Sequence, residues 1–403
     1  MSPSRPARLL SLWLALALTG GACASTNGAP DAAPAPRDLG ADTSSDAGQD
    51  LADDAGGLVI PLEVEALGVQ GFVLSYGGDS VMTAPLFTRQ STVEVALNLP
   101  LGVDRPAVES GLAGTALGDV RAIVSGHAHF DHLLDVVHVL TLTPDATLYT
   151  NRSGRHIFAA LAPDRDPSCT GPSPFPIVAR ARIVAPDDAL ASHVDYTNCP
   201  DQQPAGAPLE GSWIDVPGSR VRLMPVCTTH PAQIGPIHFG DGSVDTDLCE
   251  LPAAASGWLE GQTLSYLIDF LDADGRPAFR IYYQDAPATT PIGEVPTAIL
   301  ADRRVDVAIL CVGSNDAVMN QPTDIIANLD PRFVLSGHWE DFFIARDQPP
   351  QNILLLNVDG YVARAVAALA APADAPLLVD GAPVDGRHVL VIPGSRFVVP
   401  PPP

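Results

Sequence analysis

The stretch Val124–Asp135 (VSGHAHFDHLLD) constrains this chain more than any other feature, because it places three histidines and an aspartate within six residues. Residues 119–124 form an apolar run that predicts a buried strand, and residues 132–142 carry apolar side chains at helical spacing. The motif is therefore predicted on a loop at the carboxyl end of a strand. His127 and His129 are two residues apart, so an extended backbone directs both imidazoles to one face and one cation.

The next two polar residues of the motif, Asp131 and His132, are adjacent and turn into the helix, which directs them to a second cation nearby. Neutral imidazole combined with carboxylate suits zinc, with iron or manganese as alternatives where oxygen ligands are more numerous. The motif therefore predicts two divalent metal ions. A histidine-rich surface loop is the alternative interpretation, and further candidate ligands downstream disfavour it.

The pattern His-x-His-x-Asp-His resembles the motif of the metallo-β-lactamase superfamily of dinuclear metallohydrolases. Three later residues match the remaining ligands of that family, and each follows an apolar run that predicts a strand: His230, Asp285 and His338. The resemblance implies one ligand set for each metal and a bridging carboxylate, namely His127, His129 and His230; Asp131, His132 and His338; and Asp285.

The resemblance covers most of Leu58–Val399 and implies an α/β fold, a four-layer αββα sandwich with the metals at the rim between two sheets. Predicted strands and helices occur in two β-rich halves, which suits that architecture. The hydrolase domain is expected to span residues 58–400. A segment at about 163–215, rich in Pro, Asp and Ser, predicts an insertion over the site or its rim.

Residues 1–23 predict an export signal, since Arg5 and Arg8 precede the apolar run Leu9–Leu18, which is too short for a permanent membrane span. The small residues that end at Cys23 resemble a bacterial lipoprotein cleavage site. That resemblance implies a lipid anchor at Cys23 and a location in the periplasm or on the cell surface.

The alternative to an anchored protein is a secreted soluble one, cut near Ala22 or Ala24. Residues 24–57 are rich in Ala, Pro and Asp and have no aromatic residue, which predicts a disordered tether, because such a segment buries too little apolar surface. The subunit number is left open by the sequence.

Cysteine usage agrees with export. Four cysteines lie in or beside the long loops, where an oxidising compartment favours pairing. Of the three possible connectivities, we expect Cys169–Cys199 and Cys227–Cys249. Cys311 lies in the apolar run VAILCV and is predicted to be a buried free thiol.

Three further residues, each near the motif or near a later candidate ligand, can be interpreted in two ways. His238 lies in the long loop of residues 231–257, which should face the site, so it is a candidate substrate contact or an ordinary surface histidine. Trp339 directly follows a candidate ligand and is predicted either to form a pocket wall or to pack in the core. Asp135 either accepts an N–H from the imidazole of His132 or faces solvent.

The net charge of −25 at pH 7 disfavours nucleic acid as a partner, because phosphate contacts need a basic groove. We therefore expect a small-molecule substrate. The metals predict a hydrolase in which two cations share a hydroxide that cleaves an ester, lactone or thioester type bond. Asp131 or a bound water would deliver a proton to the leaving group. The alternatives are a phosphodiesterase- or phospholipase-like hydrolase and a non-catalytic exported metal-binding protein.

Overall fold

Two β-sheets form the centre of the computed structural model, which describes residues 60–171, 177–189 and 192–403. The predicted signal, the anchor at Cys23 and the tether at 24–57 lie outside these residues. The first sheet contains nine strands: β1 Leu62–Gly68, β2 Gly71–Tyr76, β3 Asp79–Thr83, β4 Val120–Val124, β5 Thr147–Tyr149, β6 Ile183–Val184, β13 Leu377–Val379, β14 Ala382–Val384 and β16 Arg396–Val399. The second contains seven: β7 Ile214–Asp215, β8 Val221–Cys227, β9 Leu264–Leu271, β10 Pro277–Gln284, β11 Val307–Cys311, β12 Phe333–Gly337 and β15 His388–Leu390.

The α-helices connect these strands and cover the outer faces of the sheets. They are α1 Thr92–Ala96, α2 Arg105–Gly111, α3 Phe130–Leu133, α4 Val136–Leu142, α5 Arg152–Phe158, α6 Thr297–Leu300, α7 Thr323–Leu329 and α8 Val358–Ala368. Short 3-10 helices lie at Leu117–Asp119, Ala159–Leu161, Arg180–Arg182, Pro200–Gln202, Ala255–Gly257 and Asn315–Ala317. Among the described residues, none of the helices has both the length and the hydropathy that a membrane crossing requires.

Strand order explains how the chain forms two layers of sheet. The first sheet runs β14-β13-β16-β1-β2-β3-β4-β5-β6, and the second runs β15-β12-β11-β10-β9-β8-β7. Neighbours β3, β4 and β5 are parallel, as are β10, β11 and β12. Parallel strands bring their carboxyl ends to one edge of a sheet. The loops after β10 and β12 therefore share one edge of the second sheet, and the loop after β4 of the first sheet meets them through the contact of Gly126 with Asp285.

Three apolar clusters separate the four layers. Phe72 and Val124 of the first sheet pack with Tyr266 and Ile281 of the second, which places the main core between the sheets. The outer face of the first sheet packs against α4 and α5, and that of the second packs against α7 and α8. The predicted four-layer αββα sandwich is therefore confirmed.

The segment predicted as an insertion contributes to the edges of both sheets. β6 pairs with β5 at the end of the first sheet, and β7 pairs with β8 at the end of the second. Residues 193–199 run beside β8, where Asp195 and Val226 form a parallel bridge. Residues 172–176 and 190–191 of this segment lie outside the described ranges.

The predicted disulfide pairing is wrong. The structure links Cys169 to Cys249 and Cys199 to Cys227. Cys199 reaches Cys227 because the segment before it pairs with β8, with the Cys227 N–H donating to the Asp195 carbonyl at 3.0 Å. Cys249 is held near Cys169, since Arg165 donates to the Cys249 carbonyl at 2.8 Å. These neighbours come from tertiary contacts that sequence spacing does not contain.

Cys311 is buried in β11 and is not bonded to another cysteine, so the prediction of a buried free thiol is confirmed. Burial raises the pKa of its thiol well above the usual range, with the nearby Asp285 carboxylate acting in the same direction. The thiol is therefore a packing residue in the second sheet.

Peptide mapping of the oxidised protein, without reduction, is expected to recover Cys169 joined to Cys249 and Cys199 joined to Cys227. The partners are 80 and 28 residues apart, so loss of either bond should lower the free energy of unfolding by about 2–4 kcal/mol. Cys311→Ala is the control and should leave both linked peptides in place. Recovery of a Cys169–Cys199 peptide would contradict the observed connectivity.

Candidate metal centre

The motif loop is fixed between the two sheets by backbone hydrogen bonds. After β4, the Gly126 N–H donates to Asp285 Oδ2 at 2.7 Å, and the Gly126 carbonyl accepts from the Leu264 N–H at 2.8 Å. The Ala128 N–H donates to the Glu260 carbonyl at 3.0 Å. A Cβ at position 126 would overlap both the Asp285 carboxylate and the Leu264 carbonyl, so only glycine permits this approach.

The other candidate ligands follow strands of the second sheet, as predicted. His230 lies shortly after β8, whereas Asp285 and His338 directly follow β10 and β12. His338 has a left-handed backbone (φ 56°), and its N–H donates at 2.8 Å to the carbonyl of Val69, in the turn between β1 and β2 of the first sheet. A non-glycine residue in this conformation is uncommon. Here the unusual backbone accompanies a contact that joins the two sheets beside the motif.

The structure brings the imidazoles of His127, His129 and His230 into one group. Their candidate ligand atoms all lie within 4.8 Å of one another, and the ring centroids are 4.5, 4.7 and 5.0 Å apart. This spacing allows three nitrogens to approach one cation.

Asp131, His132 and His338 form a second group with the same spacing of ligand atoms. Asp131 Oδ2 lies 3.4 Å from His132 Nε2 and 3.3 Å from His338 Nε2. All three residues are buried. Carboxylate and imidazole therefore face one another across a space with the donors of a second cation site.

Asp285 lies between the two groups. Its Oδ1 atom is 3.1 Å from His127 Nδ1, and its Oδ2 atom is 3.7 Å from His132 Nδ1. The side chain is fully buried. One carboxylate thus contacts an imidazole of each group, and the clusters together indicate a dinuclear metal site.

The tautomers of three imidazoles follow from their acceptors. Carbonyl and carboxylate oxygens only accept, so the ring nitrogens that contact them must donate: His129 Nε2 to the Gly240 carbonyl (3.3 Å), His230 Nδ1 to the Pro231 carbonyl (2.7 Å) and His127 Nδ1 to Asp285 (3.1 Å). The lone pairs that are left belong to His127 Nε2, His129 Nδ1 and His230 Nε2. Such outer hydrogen bonds commonly orient histidine ligands of metals.

Buried ring nitrogens that have no hydrogen-bond partner show whether these residues are suited to bind a metal. His127 Nε2, both ring nitrogens of His132, and His338 Nδ1 are buried and make no hydrogen bond in the described part of the chain. An unpaired buried polar atom is costly, and native proteins leave few of them. A divalent cation would take the lone pair of His127 Nε2 and that of one nitrogen of His132, so the donor set fits metal binding.

Burial keeps four of the imidazoles of the centre neutral, as ligation requires. Burial lowers the pKa of His132 to about 4 and holds the pKa values of His127, His129 and His230 well below their ordinary range. Burial raises the pKa of Asp285 to about 6.

Asp131 differs from Asp285 in the sign of its pKa shift. Burial alone would raise the pKa of its carboxyl, but the neighbouring imidazoles of His132 and His338 outweigh burial and hold this pKa well below the usual range. Asp131 is also the more accessible of the two carboxylates, with 12% of its side chain exposed against 0% for Asp285.

Glu260, a residue that the sequence did not single out, lies beside the first group. Its Oε2 atom is 2.7 Å from His238 Nε2 and 3.9 Å from His129 Nε2. Burial, helped by the charge of Asp241, raises the pKa of Glu260 to about 8. No motif marks this residue, and tertiary contacts bring it here: its carbonyl accepts from the Ala128 N–H at 3.0 Å, and its N–H donates to the Gly240 carbonyl at 2.9 Å.

The remaining candidates have clear positions. The ring of His238 stacks on that of His230, with centroids 5.6 Å apart, so it lies at the edge of the centre. Trp339 packs in the outer core of the second sheet, and its indole N–H donates to the Val391 carbonyl at 2.6 Å. The core-packing interpretation of Trp339 therefore agrees with the structure, and the pocket-wall interpretation does not.

Both interpretations of Asp135 are wrong. Its buried carboxylate accepts from the N–H groups of Phe87 and Thr88 at 2.6 and 2.8 Å, and from the Thr88 hydroxyl at 2.5 Å. It therefore anchors the turn between α3 and α4 to the loop after β3, and it bonds to none of the imidazoles.

Solved structures similar to this chain are proteins of the metallo-β-lactamase fold. YhfI from Bacillus subtilis, described as such a protein, is 12% identical, with a TM-score of 0.41 over 84% of this chain and 99% of that one. Igni18 from Ignicoccus hospitalis, described as a metallo hydrolase, is 12% identical, with a TM-score of 0.40 over 83% of this chain and 97% of that one.

A third similar structure is CmlA from Streptomyces venezuelae, a diiron β-hydroxylase. It is 12% identical, with a TM-score of 0.34 over 69% of this chain and 44% of that one. No family model and no curated protein matches the chain. At this identity the similarities concern the fold alone, and the function has to be argued from the residues of this chain.

Elemental analysis of the purified protein is expected to find about two transition-metal ions per chain. Asp131→Ala and His338→Ala each remove a ligand of the second group and should lower this number towards one. His193→Asn is the control, because His193 is partly exposed, bonds to Ser212 at 2.7 Å and belongs to none of the candidate ligand groups among the described residues. Metal-free wild-type protein, isolated without chelator, would contradict the assignment of the centre.

Gly126→Ala should displace the Asp285 carboxylate, since its methyl group would occupy the same space. We expect a loss of about 1–3 kcal/mol in the free energy of unfolding, as overpacking typically causes, together with weaker metal binding. Thermal unfolding and metal titration measure the two effects. Gly118→Ala is a matched control, because its methyl group would meet nothing within 4 Å. Equal behaviour of the two variants would show that the close approach at Gly126 is unimportant.

Proposed function

We propose that the chain is a metal-dependent hydrolase that cleaves an ester, lactone or thioester type bond in a small, uncharged molecule. The convergence of seven imidazole and carboxylate side chains, six of them buried and some with unpaired nitrogens, is the observation that carries the proposal. Zinc is the metal that this donor set suits best. A net charge of −25 disfavours polyanionic substrates.

The metals, when bound, would activate a water molecule for attack and polarise the bond to be cleaved. The residues of the chain set up that chemistry. Asp285 and the tautomers of His127, His129 and His230 fix where the lone pairs point. Burial of His127, His132 and Asp285 excludes bulk water from the inner side of the centre.

Asp131 is the candidate catalytic carboxylate. Its low pKa keeps it ionised at neutral pH, and its position between His132 and His338 leaves one edge exposed. From there it can accept a hydrogen bond from the attacking water and pass a proton towards the leaving group. Such proton transfer by a positioned side chain typically contributes about 10²–10⁴-fold to the rate.

Export is part of the proposal. The apolar run at residues 9–18 and the small residues before Cys23 support a signal peptide and a lipid anchor, and the two disulfides agree with an oxidising compartment. The enzyme would then act in the periplasm or at the cell surface on molecules that reach it from outside.

A substrate panel tests the activity. The zinc-loaded protein is expected to hydrolyse a lactone, a thioester or an aryl ester, with slower or no turnover of a phosphodiester and a β-lactam. Asp131→Asn should lower kcat/KM by more than the roughly 10–100-fold that loss of an outer partner of a metal ligand costs. Chelator should abolish turnover and added zinc should restore it.

His193→Asn again serves as the control, and its kcat/KM should equal that of the wild type. Preferred turnover of the phosphodiester would replace the acyl substrate class by a phosphoryl one. If the metal-loaded protein turned over none of these substrates, the hydrolase proposal would fail and a metal-binding role would be favoured.

A further inference from the structure

Another group of ligating side chains lies against the first metal group on its solvent side. The candidate ligand atoms of His230, His238 and Glu260 all lie within 4.8 Å of one another. Glu260 Oε2 is 2.7 Å from His238 Nε2, and the two imidazole rings stack with an angle of 28° between their planes. This group has the imidazole and carboxylate composition of the centre, but the proposed hydrolase does not use it.

His230 belongs to both groups and can serve only one of them at a time. Its Nδ1 atom donates to the Pro231 carbonyl at 2.7 Å, so Nε2 carries the only lone pair of the ring. One nitrogen lone pair binds one cation. The two groups are therefore alternative positions for a metal that His230 ligates.

Exposure decreases from the outer group towards the centre. The exposed fraction of the side chain is 24% for His238 and 13% for Glu260, and it falls to 10% for His129 and 0% for His127. A cation from solvent therefore meets His238 and Glu260 before it reaches the inner ligands. The negative net charge of the chain favours the approach of cations to such a cleft.

The contact between His238 and Glu260 resembles contacts within the centre. Carboxylate and imidazole atoms are 3.1 Å apart for Asp285 and His127, and 3.3 Å apart for Asp131 and His338. A hydrogen bond that only fixes the loop would also explain the 2.7 Å contact of His238. It would not explain why a ring nitrogen of His230 also lies within 4.8 Å of a ligand atom of each of these two residues.

We propose that His230, His238 and Glu260 form an outer cation position, from which a divalent metal passes to His127 and His129. The metal first binds Glu260, His230 Nε2 and His238 Nε2, whose proton moves to Nδ1 through solvent as the 2.7 Å contact with Glu260 opens. His230 then keeps the metal while the inner imidazoles replace the outer ligands. This proposal concerns metal loading and does not depend on which bond the enzyme cleaves.

Loading kinetics of the full chain provide the first test. Metal-free protein is mixed with Zn²⁺ and a chromogenic chelator that reports free zinc, for the wild type, Glu260→Gln and His238→Asn. Both variants should reach the same final zinc content as the wild type, but load it roughly 10–100-fold more slowly, as for loss of a supporting ligand group. His193→Asn should load at the wild-type rate. Unchanged rates in both variants would overturn the proposal.

Cobalt binding provides a second test, which uses a protein whose two inner metal groups have each lost a ligand. His127→Ala combined with Asp131→Ala removes a ligand from each inner group and should leave a site for one Co²⁺ with visible d–d absorption. Adding Glu260→Gln should abolish that absorption, and circular dichroism checks that both proteins are folded. Residual binding that survives Glu260→Gln, or its absence from a folded double variant, would overturn the proposal. If the double variant does not fold, the loading rates decide.

Discussion

The hydrogen bond between the Asp285 carboxylate and the Gly126 N–H joins the two halves of the fold. Asp285 follows β10 of the second sheet and Gly126 follows β4 of the first, and the 2.7 Å contact is possible only because residue 126 has no side chain. A carboxylate at 0% exposure carries a large desolvation cost, which raises its pKa to about 6. Nearby positive charge offsets that cost. The same residue that joins the sheets is therefore better satisfied when cations lie beside it, and folding and metal binding favour each other.

The candidate ligands of the motif could be predicted from their spacing, whereas the later three came from the resemblance to a known motif, supported by the apolar run before each of them. His127, His129 and Asp131 are close in sequence, and His230, Asp285 and His338 follow strands whose carboxyl ends lie at one edge. Local sequence also determines α7 and the hairpin of β9 and β10, through helical periodicity in the first case and the turn residues 272–275 in the second.

Features that depend on distant contacts could not be predicted in this way. The disulfides follow from which loops pack together, and the position of Glu260 follows from its carbonyl accepting the Ala128 N–H. Asp135 looked like an outer partner of His132 because it is three residues away, which is close on a helix. The helix is interrupted between α3 and α4 at this point. The carboxylate of Asp135 therefore accepts from the N–H groups of Phe87 and Thr88 instead. A local rule failed there because the helix does not continue.

The opposite end of the second sheet shows why the unpaired nitrogens indicate function. Asp306 and Arg332 precede β11 and β12, at the ends remote from the ligands, and they form a buried ion pair at 3.1 Å. Arg280 of β10 pairs with Asp269 of β9 at 2.7 Å, with both side chains fully buried. At that end each buried charge faces an opposite charge, as stability requires. At the ligand end, imidazoles of equal burial face one another, and His127, His132 and His338 keep nitrogens without a partner. The same fold pairs its buried charges at one end of the sheet and presents unpaired imidazole nitrogens at the other, which is the arrangement that binding of a cation requires.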